Sequence, residues 1–262
     1  MRTDPLAHPI DGRSRPTHSP LQARRRAVAV LTLTFGAAAG TMPGLGGVGP
    51  AHAQTVHDHR HGFSGAHNWL KVLEDPKRDA WQKPHEVIQA LALKPDSVVA
   101  DIGAGTGYFA TRLSHMLPQG RVYAVDSEPE MVKHLADRAA KGGLKNLQPI
   151  LATPDDPKLP GRVDLVLMVN VFHHVDDRDR WLRRLQASLA SGGRVAIIDF
   201  NLESPEGPPK AARMTAKQVR AEMEKAGYVF AREHRFLPNQ FFLEFTSAST
   251  STSTPPSKPP PR

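Results

Sequence analysis

The chain has 262 residues, with 34 Lys and Arg against 26 Asp and Glu, a formal charge of +8 and no cysteine. Residues 1–53 carry a net +4 and the last sixteen residues +2, which leaves the stretch 54–246 close to neutral. The high isoelectric point of about 9.9 therefore belongs to the ends and is no nucleic-acid footprint, which needs basic residues clustered on the folded part. Lack of cysteine excludes disulfide scaffolds, zinc-thiolate sites, iron–sulfur clusters and thiol nucleophiles. The middle stretch is long enough for one domain with its own core.

The amino terminus has the pattern of an export signal. Arg24-Arg25-Arg26 precedes an apolar run over 27–39, and a Gly- and Pro-rich stretch leads to Ala51-His52-Ala53. A positive region, an apolar segment and an A-x-A site mark a cleavable signal, and the run falls short of the roughly 20 residues that span a bilayer. Residues 1–53 thus read as a signal peptide cut after Ala53, with the mature protein periplasmic or secreted and not stably inserted in the membrane. A leader that does not function would leave it in the cytoplasm. Residues 54–83 read as a His-rich leader and an amino-terminal lid segment. In the leader His57, His59 and His61 alternate as H-x-H-x-H, with His67 beyond. Such clusters can ligate zinc, copper or nickel, whereas a solvated leader needs no metal, and no metal ligand is assigned. The segment 247–262 (SASTSTSTPPSKPPPR) has almost nothing to bury and reads as a disordered tail.

Between the ends, residues 84–246 alternate between two hydrophobic periods. Val98-Val99-Ala100 is a short apolar run, followed by glycines and by helical spacing at Phe109, Leu113 and Leu117. Residues 121–125 are strand-like, and 129–141 place Met131, Val132, Leu135, Ala136 and Ala139 on one face of a helix. A near-continuous apolar strand follows over 163–169, then a helical stripe over 177–191 through Trp181, Leu182, Leu185 and Leu189. Residues 194–200 form another buried strand. Thr215 with Gln218 makes a capping box for a helix that Gly227 closes. Strand-like runs over 228–232 and 240–245 complete the chain. Strand–helix alternation of this kind predicts an α/β fold, a mostly parallel sheet with helices on both faces.

The first strand-to-helix turn reads Asp101-Ile102-Gly103-Ala104-Gly105-Thr106-Gly107-Tyr108-Phe109, and the next strand ends in Asp126. Glycines after a buried strand let a ligand approach the backbone, and an acid ending the second strand can accept both hydroxyls of a ribose. A dinucleotide fingerprint G-x-G-x-x-G requires glycine at 108, where Tyr108 stands. The pattern present, D-x-G-x-G-x-G, favours a ligand with positive charge near the turn over a pyrophosphate.

DIGAGTGYF with Asp126 after VYAV resembles the class I S-adenosylmethionine-dependent methyltransferases. The resemblance extends through Asp155-Asp156, the strand VDLVLMV running into Asn170-Val171-Phe172-His173-His174, the strand GGRVAIIDF, and Lys225-Ala226-Gly227-Tyr228. It covers roughly 84–246, and the lead-in GFSGAHNWLKVLEDPKRDAWQKPHEVI is similar to that of a bacterial small-molecule subgroup. The resemblance implies a Rossmann-like three-layer sandwich whose seven strands run 3-2-1-4-5-7-6, the last antiparallel. It implies S-adenosylmethionine as cofactor, touched by Asp101, Gly103, Ala104, Gly105, Gly107 and Tyr108 around the turn. Asp126 and Ser127 would hold the ribose, Asp155 and Asp156 the adenine, and Asn170 the far side. Pro154 and Pro157 bracket the two acids and shift their usual spacing.

The partner implied is a small-molecule methyl acceptor, on the far side of the point where strand order reverses. His173 and His174 are the candidate catalytic residues there, since a neutral imidazole can take a proton near neutral pH. Asp199 is a second candidate, and Trp69 and Trp81 lie in the lid segment. Export sits awkwardly with a cofactor made in the cytosol, so a methyltransferase-like protein that binds an adenosine metabolite or a partner without transferring methyl is the alternative. Protein recovered from its native host is expected to begin at Gln54; an intact Met1 in the soluble cytosolic fraction, read by amino-terminal sequencing, would remove the export assignment.

Overall fold

The computed structural model describes residues 73–247. The signal segment, the His-rich leader, Trp69 and all but the first residue of the tail lie outside the described residues. In chain order the elements are α1 (Arg78–Gln82), α2 (Pro84–Ala90), β1 (Val98–Ile102), α3 (Tyr108–Met116), β2 (Arg121–Asp126), α4 (Pro129–Lys141), β3 (Leu147–Leu151) and β4 (Val163–Val169). A 3-10 turn (Phe172–His174) leads to α5 (Arg178–Gln186), β5 (Leu189–Phe200), α6 (Ala216–Lys225), β6 (Tyr228–His234) and β7 (Gln240–Ser247).

The seven strands form one sheet in the order β3-β2-β1-β4-β5-β7-β6. Pairs from β3 to β5 are parallel, and β7 runs antiparallel to both β5 and β6. Successive residues of a strand face opposite sides, which here gives two cores. Val99, Leu165, Leu167, Ala196, Ile198 and Phe242 pack under α2, α3 and α4. Their neighbours Ala100, Val166, Met168, Ile197 and Phe241 pack under α5 and α6. Glu244 is fully buried on the first side and accepts hydrogen bonds from Arg194 at 2.5 Å and His234 at 2.6 Å. The Thr215–Gln218 capping box forms at the start of α6, and Gly227 takes φ +91° just beyond its end.

Two elements depart from the hydrophobic pattern. The helical stripe expected over 177–191 stops at Gln186, and Leu189 already pairs with Val163 as the first residue of β5. Gly192 at φ +75° lets the strand bulge there. Leu189 is buried as a strand residue although its spacing continues the helix face. β3 has no apolar alternation and contains Pro149. It is an edge strand paired only to β2, where a missing N–H costs no ladder bond.

Candidate active site

β1 and β4 are neighbours, with Ile102 level with Met168, so the loops after both strands open at one end of the sheet. The chain turns out of β1 with Gly103 and Ala104 donating backbone N–H to Val125 O at 2.8 and 3.0 Å. Gly103, Gly105 and Gly107 hold φ of +68°, +55° and +87°, a region that side chains disfavour. Close packing adds a second reason at Gly103, where a Cβ would lie 2.3 Å from Val171 Cγ2.

The turn borders a cleft of about 160 Å³. Asp101, Gly103, Ala104, Gly105 and Tyr108 line it from β1 and its turn. Asp126 and Ser127 line it from the end of β2, and Asn170 and His174 from beyond β4. Gly107 stands just outside as the residue before α3. Leu73, Arg78, Thr106 and Met131 also line the cleft and escaped sequence reasoning, because a single Arg on a short helix leaves no periodic signal.

Asp126 is engaged by the turn. Its Oδ2 accepts from Gly105 N–H at 2.8 Å and its Oδ1 from Glu128 N–H at 3.0 Å, leaving lone pairs for a ligand. Burial raises its pKa while these N–H groups act against the rise. Asp101 is buried outright, and desolvation pushes its carboxyl up to about 7; Asp126 works in the same direction, the Ala110 N–H and the Arg78 guanidinium against it. Burial likewise brings the Arg78 guanidinium down to about 10.

Arg78 belongs to a strap that the first described residues draw across the cleft. Its guanidinium and that of Arg112 lie 4.0 and 4.2 Å from the centre of the Tyr108 ring. The Tyr108 hydroxyl donates to Asp79, which also faces Arg112 at 3.3 Å. Arg138 ties Glu74 at 2.5 Å and Thr106 O at 2.9 Å. Trp81 packs against Phe200, ring centres 5.8 Å apart, on the strap and away from the residues that border the cleft.

Beyond β4 the two histidines take different places. His173 is buried, its Nδ1 2.8 Å from Asp199 Oδ2, and does not border the cleft. His174 lines the cleft and lies against the His173 ring, centres 4.1 Å apart. Asp199 is thus a partner of His173, and its Oδ1 accepts from the Phe200 N–H at 2.9 Å. Asp155 and Asp156 also fall outside the cleft lining. Thr153 and Asp156 close a tight bridge around Pro154, which turns Asp155 to Arg184 on α5 at 3.0 Å and Asp156 to the Lys158 N–H at 2.8 Å. Hydrogen bonds from Thr153 and Arg184 lower the Asp155 pKa, and the Lys158 N–H lowers that of Asp156.

Residues 100–195 match a family described as a methyltransferase domain. The solved S-adenosylmethionine-dependent methyltransferase of Aquifex aeolicus is 29% identical, with a TM-score of 0.64 over 68% of this chain and 97% of that one. In sequence over this stretch and in fold, the chain is similar to S-adenosylmethionine-dependent methyltransferases. Among curated relatives, the chain is 26% identical to the ubiquinone/menaquinone biosynthesis C-methyltransferase of Shewanella frigidimarina over 55% of this chain and 57% of that protein. It is 30% identical to the trans-aconitate 2-methyltransferase of Mycobacterium tuberculosis over 46% of this chain and 44% of that protein. It therefore spans about half the length of these curated relatives. Among the described residues, no helix is long and apolar enough to cross a membrane.

The raised pKa of Asp101 has a consequence for stability. Between the ordinary carboxylate value of about 4 and about 7 the folded protein keeps a proton that the unfolded chain has released. Stability of the ligand-free protein therefore falls as pH rises through that window. Asp101→Asn removes this loss, so its advantage over the parent in denaturant unfolding should grow from pH 4 to pH 7 and then level off. An advantage that shrinks with rising pH would contradict the placement of this carboxylate.

Proposed function

We propose that this protein transfers a methyl group from S-adenosylmethionine to a small-molecule acceptor by in-line displacement. The observation that carries the reading is the pairing of a glycine-rich turn at Gly103–Gly107 with Asp126 in one cleft. The residues fit the cofactor in three respects. The glycines of the turn let a ligand approach closely, Asp126 keeps lone pairs for ribose hydroxyls, and a cation beside the buried Asp101 would offset the cost of its charge. When bound, S-adenosylmethionine supplies an electrophilic sulfonium methyl and a neutral thioether leaving group.

The chain's own residues then have alignment and exclusion of water as their main work. The strap from Leu73 to Gln82 covers the cleft and is held to α3 and α4 by the Tyr108 and Arg138 contacts. His174, which borders the cleft, is placed to take a proton from an acceptor that must lose one. His173, held by Asp199, backs its ring.

Calorimetry on the full chain is expected to show micromolar binding of S-adenosylmethionine or its demethylated product. Asp126→Ala should weaken it at least about tenfold, since hydrogen bonds to a charged acceptor are worth about 1.5–3 kcal/mol each. No heat and no thermal shift with either compound would remove the reading. For the histidines, His174→Ala should leave cofactor affinity within about threefold yet lower turnover by about tenfold or more once an acceptor is known. Full turnover in that variant would make His174 a shape-forming residue only.

A further inference from the structure

One chain of side-chain hydrogen bonds begins and ends at the cleft. Arg78 Nε donates to Gln82 Oε1 at 2.8 Å, Gln82 Nε2 donates to Gln240 Oε1 at 2.7 Å, and Gln240 Nε2 donates to Asn170 Oδ1 at 2.5 Å. Gln82 is 0% and Gln240 3% exposed. Arg78 and Asn170 border the cleft, whereas the two glutamines do not. The chain joins α1 to β7 and to the end of β4, elements far apart in sequence.

A carboxamide can sit either way round, because its oxygen and nitrogen ends are nearly the same size. Here the orientation is dictated from one end. A guanidinium only donates, so Gln82 must turn its oxygen to Arg78 and its nitrogen to Gln240. Gln240 then accepts from Gln82 and donates to Asn170. With its oxygen turned to Gln240, Asn170 presents its Nδ2 end on the other side of the amide, and that nitrogen has no hydrogen-bond partner among the described residues. The backbone of Asn170 is held as well, at φ +60° with its N–H on Ile198 O at 2.8 Å. Non-glycine residues in that region are uncommon and cluster at functional sites.

We propose that the Arg78–Gln82–Gln240–Asn170 chain sets the polarity of the cleft at the end of β4, so that an N–H donor faces the methyl-transfer region and the site selects acceptors that react through oxygen. This rests on the methyltransferase reading above. A carboxylate, phenolate or enolate oxygen uses one lone pair to form the oxygen–carbon bond while the carbon–sulfur bond breaks and its electron pair leaves on sulfur. It keeps another lone pair to accept from Asn170 Nδ2. A neutral amine spends its single lone pair on the methyl carbon, and its own N–H groups would face a donor. A phenol or enol would first give its proton to His174; a carboxylate has none to give. In this scheme Asn170 touches the acceptor, and Gln82 and Gln240 are positioning residues.

The test needs no knowledge of the acceptor. Sinefungin, a cofactor analogue, carries a protonated amine where S-adenosylmethionine carries its sulfonium methyl. Both are cationic there, but only the ammonium requires hydrogen-bond acceptors. The parent protein should therefore bind S-adenosylmethionine more tightly than sinefungin. In Gln82→Glu the new carboxylate only accepts, so it takes hydrogen bonds from Arg78 and from Gln240. Gln240 then turns its oxygen to Asn170, which turns its own oxygen into the cleft. Gln240→Glu forces the same reversal one step later, and Asn170→Asp places an acceptor there directly. The ratio of the two dissociation constants should move toward sinefungin by about tenfold in each. Because the general field of an added negative charge acts on both cations, the ratio reports hydrogen-bond polarity. Gln82→Glu sets its carboxylate against Arg78 and decides the matter should the buried Gln240→Glu not fold. An unchanged ratio in Gln82→Glu and Asn170→Asp, with both ligands still bound, overturns the proposal. A parent protein that binds neither ligand overturns the methyltransferase reading instead.

Discussion

The site depends on β1 and β4 lying side by side with their carboxyl ends level. In sequence these strands are separated by two helices and two further strands, and the sheet brings them together because the chain winds outward through β2 and β3 and then crosses back. Connections leaving β1 and β4 run to opposite sides, and the gap between them is where open α/β sheets place ligands. Asp101, the Gly103–Gly107 turn and Asn170 all owe their mutual position to this one adjacency. Side chains elsewhere in the cleft are arranged around it.

Polar groups within the fold are handled in two ways. Glu244 is fully buried yet surrounded by Arg194 and His234, so its charge is met where it stands. Asp101 is buried with only partial compensation, and its raised pKa records the shortfall. Structural carboxylates ordinarily show the first arrangement, since an unpaired buried charge is costly. A carboxylate left under-compensated in a cleft is the mark of a place meant for something else to complete. The ordinary and the exceptional acid lie on the same sheet, which makes the contrast direct.

Much of this was legible in the sequence. Buried strands such as Val163–Val169 announce themselves because covering both faces demands a near-continuous apolar run. The Gly turn is legible because positive φ and close approach leave few alternatives to glycine. Where reading failed, the cause was physical. Leu189 keeps the helical spacing of α5 but is captured by β4, a long-range pairing that local period cannot show. β3 hides because an edge strand has little to bury and tolerates Pro149. Asp155 and Asp156 stand where the sequence resemblance implies an adenine contact, yet the prolines around them make a turn that sends them to Arg184 and Lys158. Arg78, Gln82 and Gln240 are invisible to pattern altogether, because single polar residues acquire meaning only through partners up to 158 positions away.

The contact between Gly103 and Val171 reaches beyond packing. With Val171 Cγ2 only 2.3 Å from where a Cβ at Gly103 would stand, the turn after β1 and the segment after β4 cannot vary independently. A larger residue at 171 would push on a backbone with no side chain to yield, and any residue but glycine at 103 would require a smaller one at 171. The glycine-rich turn is therefore half of a matched pair and not a portable module. Transplanted into another sheet without a fitting residue opposite, DIGAGTG would keep its letters and lose its shape.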